Sequence, residues 1–237
     1  MSNTYFQFKQ FRVEQGACAM KVSTDACIQG AWTPANDTTH KILDIGAGTG
    51  LLSLMVAQRC NARIDAIEAD ARAAAQAEEN FAASPWNARL SLVHQDVRQY
   101  VAADKYDLII CNPPFFQNSL LGDNTERNIA RHTINLSYSD IASVLERMLD
   151  DNGYASIMLP LAAHEEWVSI LAKIGWHIHG RLSVFPKAGS FLPNRIISLC
   201  GRNEPFEIEE QSLYIRSGDN TYTSAFKQLL RPYYLDL

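Results

Sequence analysis

The sequence predicts an α/β fold built on a doubly wound, mostly parallel sheet of seven strands, with small appendages at both ends of the chain. Short apolar runs typical of buried strands alternate with longer segments that have helical periodicity. A glycine-rich turn over residues 46–50 joins one such run to a helical segment, as it does in doubly wound sheets. Polar residues also stand at the ends of four successive runs, where such sheets bind their ligands.

The size and composition indicate one domain that spans residues 1–237. A chain of 237 residues that is 47% hydrophobic can bury one large core. We expect residues 1–40 to pack as an extension near the ligand site and residues 203–237 to form an appendage. The formal net charge of −5 argues against a protein that holds nucleic acid by bulk electrostatics, so any nucleic-acid site must be a local basic patch.

Several locations and kinds of site receive no support from the sequence. Because no run of about 18 apolar residues and no apolar leader is present, we expect a soluble cytoplasmic protein without a membrane partner. The five cysteines are odd in number and lack Cys-x-x-Cys spacing, which favours buried thiols. His177 and His179 have no third ligand in view, so no metal is expected. The chain shows no dimer signature, so we expect a monomer.

The first forty residues offer one strand-like segment and one helix. Apolar residues alternate with polar ones between Phe6 and Val13, which predicts one extended segment or a short hairpin. Ser23, Thr24 and Asp25 are suited to cap a short helix over residues 26–32. Taken alone, these three residues indicate a helix cap and no contact with a ligand.

A strand, a glycine turn and a helix follow over residues 41–59. Gly46, Gly48 and Gly50 allow the main chain to approach a ligand closely, and the exposed N–H groups of the helix favour a carboxylate or phosphate. The second strand ends at Glu68, which stands 22 residues after Gly46 and is placed to accept hydrogen bonds from ribose hydroxyls. The glycine pattern alone is weak, but this context predicts a nucleotide-type pocket.

Two further strands complete a row of polar strand ends. The third strand leads to Asp96, and the apolar run 107–111 leads to Asn112. Ligands of doubly wound sheets lie outside the carboxyl ends of the strands, so these two residues should meet Asp44 and Glu68 at one edge. Singly, each residue is as readily a helix cap or a solvated turn. Together they favour a ligand site.

The fourth strand ends in the sequence Asn112-Pro113-Pro114-Phe115. Asn112 precedes a proline and is pushed toward extended geometry, while the two prolines fix φ and remove two backbone donors. What remains at this corner is the carboxamide oxygen, free carbonyl groups and the flat ring of Phe115. These groups can hold a planar amino group by its two hydrogens and stack on its ring, so the candidate catalytic residues are Asn112, Pro113 and Phe115.

The remaining segments complete the sheet and add one polar loop. In this loop, residues 116–133, the side chains of Arg127, Arg131 and His132 could meet phosphate groups or belong to a solvated lid. The predicted elements beyond it are helices 137–149, 162–174 and 224–230, strands 153–159, 176–185 and 194–202, and short strands within residues 203–237.

These motifs are similar to those of a known family. Asp44–Gly50, the acids Glu68 and Asp96, and Asn112–Phe115 resemble the ordered motifs of class I S-adenosylmethionine-dependent methyltransferases, in the branch that methylates exocyclic or amide nitrogens. Over nearly the whole chain, the similarity is to bacterial members that methylate N6 of adenosine 37, beside the anticodon of tRNA(Val). The segments that carry this closer resemblance are 8–15, 21–32, 112–116, 130–132, 186–187 with Arg195, and 222–235.

The resemblance implies a cofactor, a partner and a set of contacts. S-adenosylmethionine would be the cofactor, and the anticodon loop of a tRNA would be the substrate. Glu68 would hold the ribose, and Asp96 would accept from the adenine amine of the cofactor. The implied cofactor-binding residues are Lys21, Thr24, Asp25, Asp44, Gly46, Gly48, Gly50, Glu68, Asp96 and Asn112. The implied substrate-binding residues are Pro114, Phe115, Phe116, Arg131 and His132.

The residues alone leave the substrate open. Adenine, cytosine and a glutamine side chain all present the planar amino group that this corner can hold. A DNA enzyme would have to flip its base and would bring a recognition domain, which is not visible. The alternative is a protein-glutamine N5-methyltransferase of the release-factor type, although the first forty residues contain no helical domain. A module that binds the cofactor without catalysis would leave Asn112 without a purpose.

Overall fold

The computed structural model describes residues 3–113 and 136–237. The described chain begins with an antiparallel hairpin, β1 (Tyr5–Gln7) and β2 (Arg12–Glu14), followed by helix α1 (Thr24–Trp32). The other elements are, in chain order, β3 (Lys41–Ile45), α2 (Leu51–Ala57), β4 (Arg63–Glu68), α3 (Ala71–Ala82), a short 3-10 helix (Asn87–Arg89), β5 (Leu90–His94), β6 (Tyr106–Cys111), α4 (Tyr138–Met148), β7 (Leu149–Leu159), α5 (Leu161–Lys173), β8 (His177–Lys187), β9 (Arg195–Gly201), β10 (Glu209–Arg216) and α6 (Ser224–Leu230).

Within the described ranges, eight strands form one sheet in the order β10-β8-β9-β7-β6-β3-β4-β5. β9 runs antiparallel to both of its neighbours, and the other neighbouring strands are parallel. The predicted α/β fold is therefore confirmed. The strand count is eight rather than seven, because β10 pairs along β8 from Glu209 to Arg216. The first four residues of β10 are polar and exposed, so they show no apolar alternation.

Helices cover both faces of the sheet, which explains the nearly continuous apolar runs of its central strands. Ile42 and Leu43 of β3 are both fully buried, although neighbouring strand residues point to opposite faces. Ile42 belongs to a core shared with residues of α1, α2 and α6, and Leu43 belongs to a core shared with α4 and α5. Because the helices cover both faces, the ends of the strands are the part of the sheet that is open to a ligand.

The N-terminal segment folds as a short hairpin, one of the two forms that its sequence predicted. The Asn80 side chain on α3 accepts a hydrogen bond from the Glu14 N–H (2.8 Å) and donates one to the Glu14 carbonyl (2.9 Å). The buried rings of Phe8 and Phe11 stack with their centroids 4.5 Å apart. These contacts fix the stretch that leads into α1. The division of the chain into a core, an extension and an appendage stays a prediction.

Membrane-spanning helices and metal clusters are both missing from the described segments. Every helix there is too short or too polar to cross a lipid bilayer. No group of three or more His, Cys, Asp or Glu side chains in those segments could hold a metal ion. The five cysteines are buried free thiols. Burial raises the pKa of Cys27 to about 12, so this thiol stays protonated at neutral pH.

Candidate functional site

A cavity of ≈ 330 Å³ opens beside the carboxyl ends of β3, β4 and β6 and the loop after β5. This is the edge at which the sequence predicted a ligand site. The polar ends of three of those four segments supply Glu68, Asp96 and Asn112 to its wall. The predicted site residues that line the cavity are Lys21, Gly46, Gly48, Glu68, Asp96, Asn112 and Pro113.

The glycine turn is held against the end of β4. The N–H groups of Gly46 and Ala47 donate to the Ile67 carbonyl (2.9 and 3.1 Å), and the Gly48 N–H donates to Oε2 of Glu68 (2.8 Å). Gly50 has φ of 78° and caps α2, and a Cβ there would collide with the Phe81 ring. Only glycine can adopt this positive φ without strain and also leave room for the Phe81 ring. Gly50 does not itself line the cavity.

Glu68 braces the loop and still has capacity for a ligand. Its Oε2 accepts from the Gly48 N–H, and its Oε1 accepts from the Asp70 N–H (2.9 Å). A carboxylate has about four acceptor positions, so lone pairs remain on both oxygens. Glu68 also lines the cavity, so these acceptor positions are compatible with its predicted role toward ribose hydroxyls.

Asp44 lies behind the cavity wall and is almost completely buried. Its Oδ2 accepts from the N–H (3.1 Å) and the hydroxyl (2.7 Å) of Ser53, which fixes the first turn of α2. Its Oδ1 is buried without a hydrogen-bond partner among the described residues. Burial, with a smaller contribution from the charge of Glu68, raises the pKa of Asp44 to about 6. Asp44 therefore holds the start of α2, the helix that follows the glycine turn.

Asp96 lines the cavity as half of an ion pair. The Arg98 N–H and Nε donate to Oδ1 (2.9 and 3.0 Å), and Nε and Nη2 donate to Oδ2 (2.9 and 2.5 Å). These hydrogen bonds lower the pKa of Asp96. Sequence reasoning missed Arg98, which also lines the cavity, although the spacing Asp-x-Arg was visible. An adenine amine that binds Asp96 must therefore share the carboxylate with this guanidinium.

Asn112 and Pro113 follow the last residue of β6 and line the cavity. The Oδ1 atom of Asn112 is buried and has no hydrogen-bond partner in the described part of the chain. Below it, the Gln29 side chain on α1 donates to the main-chain oxygens of Cys111 (3.0 Å) and Ser156 (3.1 Å). Gln29 was missed because one polar residue in a short helix gives no sign of its partners. The corner thus presents an unused acceptor on an anchored strand end.

The segment before α1 closes one side of the cavity with residues that include Lys21 and Ser23. Thr24 and Asp25, which the resemblance implied as cofactor contacts, do not line the cavity. Asp25 instead pairs with Arg195 on β9, with 3.3 Å between Oδ2 and Nε. The remaining predicted substrate residues lie outside the described ranges: Pro114, Phe115, Phe116, Arg131 and His132.

Comparison with known proteins agrees with this geometry. Residues 31–140 match the family model described as the methyltransferase small domain. A protein of Cytophaga hutchinsonii is 40% identical over all of both chains, and one of Dyadobacter fermentans is 42% identical over 98% of each. Both relatives are named tRNA1(Val) (adenine(37)-N6)-methyltransferase. The chain belongs to the tRNA1(Val) (adenine(37)-N6)-methyltransferase family.

The fold is similar to those of solved methyltransferase structures. A protein of Agrobacterium tumefaciens described as a predicted O-methyltransferase matches with a TM-score of 0.66 and 18% identity, over 88% of this chain and 96% of the other. The ribosomal protein L11 methylase of Lactobacillus delbrueckii matches with a TM-score of 0.56 and 17% identity, over 81% and 84%. At these identities the similarity concerns the fold alone.

The family and the fold imply S-adenosylmethionine as the cofactor, and the cavity residues fit it. Glu68 keeps acceptor positions for hydroxyl groups, and the glycine turn brings main-chain atoms to the wall. Ile67 and Val97 add apolar surface for a planar ring. The described lining also carries three carboxylates against two cationic side chains, a balance that suits a ligand with a sulfonium cation.

Proposed function

We propose that this protein transfers a methyl group from S-adenosylmethionine to N6 of adenosine 37, beside the anticodon of tRNA1(Val). The buried Oδ1 of Asn112 on the cavity wall is the observation that carries the proposal. An unpaired buried acceptor costs about 1 to 3 kcal/mol, so the site is completed by a ligand that donates a hydrogen bond. An exocyclic amino group is such a donor, and the names of the relatives identify it as the adenine amine.

Asn112 and Pro113 prepare the amine for attack. The lone pair of an adenine amine is delocalised into the ring, which makes the nitrogen a poor nucleophile. When Oδ1 of Asn112 and the Pro113 carbonyl accept its two hydrogens, the nitrogen can become tetrahedral and direct its lone pair into the cavity. S-adenosylmethionine would supply an electrophilic methyl group there, and its sulfonium would leave as a neutral thioether when the bond from sulfur to the methyl carbon breaks. Holding the reacting atoms about 3 to 3.5 Å apart provides much of the rate acceleration.

The same acceptors stabilise the positive charge that develops on the amine nitrogen and lie close to the proton that it releases. Positive charge grows on the amine nitrogen as it is methylated, and the preorganised oxygens of the corner stabilise it. The methylated nitrogen is acidic and loses one proton to Asn112, to a carbonyl group or to water. Because this cation is itself a strong acid, no dedicated base is required.

RNA fits the architecture better than the glutamine alternative. An anticodon loop already presents unstacked bases, so the enzyme needs no separate duplex-reading domain. Residues 3–40 form a hairpin and one nine-residue helix, and no helical domain precedes the cavity within that range. We further propose that the enzyme acts as a cytoplasmic monomer of one domain, and that Phe115, Phe116, Arg131 and His132 contact the anticodon loop.

The proposed activity is tested by methyl transfer from labelled S-adenosylmethionine to unmodified tRNA, total protein and DNA in parallel. We expect label in tRNA alone, recovered after digestion as N6-methyladenosine. A tRNA1(Val) transcript with guanosine at position 37 is the matched control and should take up no label. Label in protein alone would favour the glutamine alternative, and label in the control transcript would move the target to another adenosine.

A further inference from the structure

The loop between β8 and β9 lies at the same edge of the sheet as the cavity. β8 ends at Lys187 and β9 begins at Arg195, while Ile196 pairs with Leu159 at the carboxyl end of β7. The loop therefore belongs to the same edge of the sheet as Asn112. The ion pair between Arg195 and Asp25 joins it to the start of α1, whose cap residue lines the cavity.

This loop presents an aromatic ring to water. Phe191 is 98% exposed and Leu192 is 67% exposed. The main chain around them is held by hydrogen bonds, from the Asn194 N–H to the Val184 carbonyl (2.8 Å) and from the Ala188 N–H to the Arg216 carbonyl (2.7 Å). A ring held on an ordered loop can stack on another flat group at a small cost in conformational entropy.

Charge indicates which partner the ring meets. Residues 187–195 contain no acidic residue, and their two cations are Lys187 and Arg195, of which Arg195 is paired with Asp25 on α1. At the opposite edge of the sheet, residues 202–210 carry an equally exposed ring, Phe206, among four glutamates and one arginine. A polyanion is attracted to the first segment and repelled by the second. Because the whole chain carries a net charge of −5, a polyanionic substrate needs such a local basic patch.

We infer that the loop 187–195 is a binding surface for the tRNA, with Phe191 stacked on an unpaired base near the target and Lys187 against a phosphate. The inference rests on the proposed function, which names the RNA. It assigns part of the tRNA affinity to a loop outside the cofactor cavity. Base stacking on an aromatic side chain is sequence-tolerant, so this surface contributes affinity and leaves the choice of nucleotide to the Asn112 corner.

The test compares matched phenylalanines at the two edges. Fluorescence anisotropy gives the affinity for an unmodified tRNA1(Val) transcript, and calorimetry gives the affinity for S-adenosylmethionine. Phe191→Ala should weaken tRNA binding about 5- to 150-fold, and Phe191→Trp should restore it to within about three-fold, because indole also stacks. Phe206→Ala should leave tRNA affinity unchanged. All three variants should bind the cofactor like wild type.

Measuring tRNA affinity at several salt concentrations separates the contribution of the Lys187 charge from that of the Phe191 ring. Lys187→Ala should lower the slope of log affinity against log salt by about one, whereas Lys173→Ala, at an exposed helix end, should leave it unchanged. Wild-type affinity of Phe191→Ala, or an equal loss in Phe206→Ala, would overturn the inference. So would a concentration-dependent dimer that Phe191→Ala abolishes, since the loop would then serve a second copy. Absence of methyl transfer to tRNA by wild type would instead defeat the proposed function itself.

Discussion

The side-chain amide of Gln29 donates a hydrogen bond to the main-chain oxygen of Cys111 over 3.0 Å, although 82 positions separate the two residues. The same nitrogen also donates to Ser156 on the neighbouring strand. Gln29 is fully buried, so water cannot replace either hydrogen bond. Helix α1 thereby contacts the last residue of β6 and the interior of β7, and we propose that this contact sets the direction in which Asn112 leaves β6.

Replacing Gln29 by leucine should therefore affect both folding and turnover. Two buried carbonyl groups lose a donor, which costs about 1 to 3 kcal/mol in the free energy of unfolding. Because Asn112 is adjacent to the released carbonyl, we expect kcat to fall about ten-fold or more, as small misplacements of reacting groups do. Urea unfolding and steady-state kinetics measure the two effects.

Thr33→Val is the matched control for Gln29→Leu. Thr33 is also fully buried, and its hydroxyl shares a 2.7 Å hydrogen bond with the Ser156 side chain on β7 rather than with the Cys111 carbonyl. We expect a stability loss of about 1 kcal/mol and an unchanged kcat. If both variants lost turnover in proportion to stability, Gln29 would have no role in positioning Asn112.

Removing the Glu68 carboxylate should weaken cofactor binding. Glu68→Ala deletes the brace on the Gly48 N–H and the acceptors that face the cavity. Hydrogen bonds to charged groups contribute about 1.5 to 3 kcal/mol, so we expect the dissociation constant for S-adenosylmethionine to rise about 10- to 150-fold. Calorimetry measures it. Glu78→Ala, at an exposed position of α3, should bind like wild type, and the same affinity in both variants would contradict the prediction.

Asp44 should make stability depend on pH. Its pKa of about 6 lies above the ordinary 3.8, so between these values the folded protein binds more protons than the unfolded chain. Stability therefore falls as pH rises from about 4 to about 6, and the loss persists above that range. Asp44→Asn keeps an acceptor for Ser53 and removes the titration. Relative to this variant, wild type should lose about 2 kcal/mol between pH 4 and pH 7. Urea unfolding that showed a pH-independent difference would contradict this.

Replacement by alanine should lower the free energy of unfolding more at Gly50 than at Gly48. Both residues have positive φ, but a Cβ at Gly50 meets the Phe81 ring, whereas one at Gly48 has its nearest neighbour, the Cys18 sulfur, at 3.8 Å. We expect losses of about 2 to 4 kcal/mol for Gly50→Ala and about 1 to 2 kcal/mol for Gly48→Ala. Denaturant unfolding compares them directly. Equal losses would show that packing against Phe81 is unimportant.

Local sequence signals predicted the fold and much of the site. The apolar runs of β3 and β5 predicted those strands, because both faces of a doubly covered sheet are buried. The convergence of Glu68, Asp96 and Asn112 followed from the rule that parallel strands end at one edge. Each strand and each strand end was recognised from residues that are close together in the sequence, and the topology rule then brought the strand ends together.

What the sequence did not reveal depends on partners far along the chain. The link from Gln29 to Cys111 exists only after α1 packs on the sheet, and the pairing of Asp25 with Arg195 joins α1 to β9. β10 has too little apolar alternation to predict its place at the edge of the sheet. Tertiary contacts of this kind leave no periodic pattern that could be recognised in advance.

The most direct test of the account is the turnover of Asn112→Ala on unmodified tRNA1(Val), measured together with its affinity for S-adenosylmethionine. If the Oδ1 atom of Asn112 holds the adenine amine, kcat at saturating S-adenosylmethionine should fall about 100- to 1,000-fold, and this loss should exceed any change in cofactor affinity. Wild-type turnover in this variant would contradict the central claim and leave the cavity as a cofactor site without its catalytic corner.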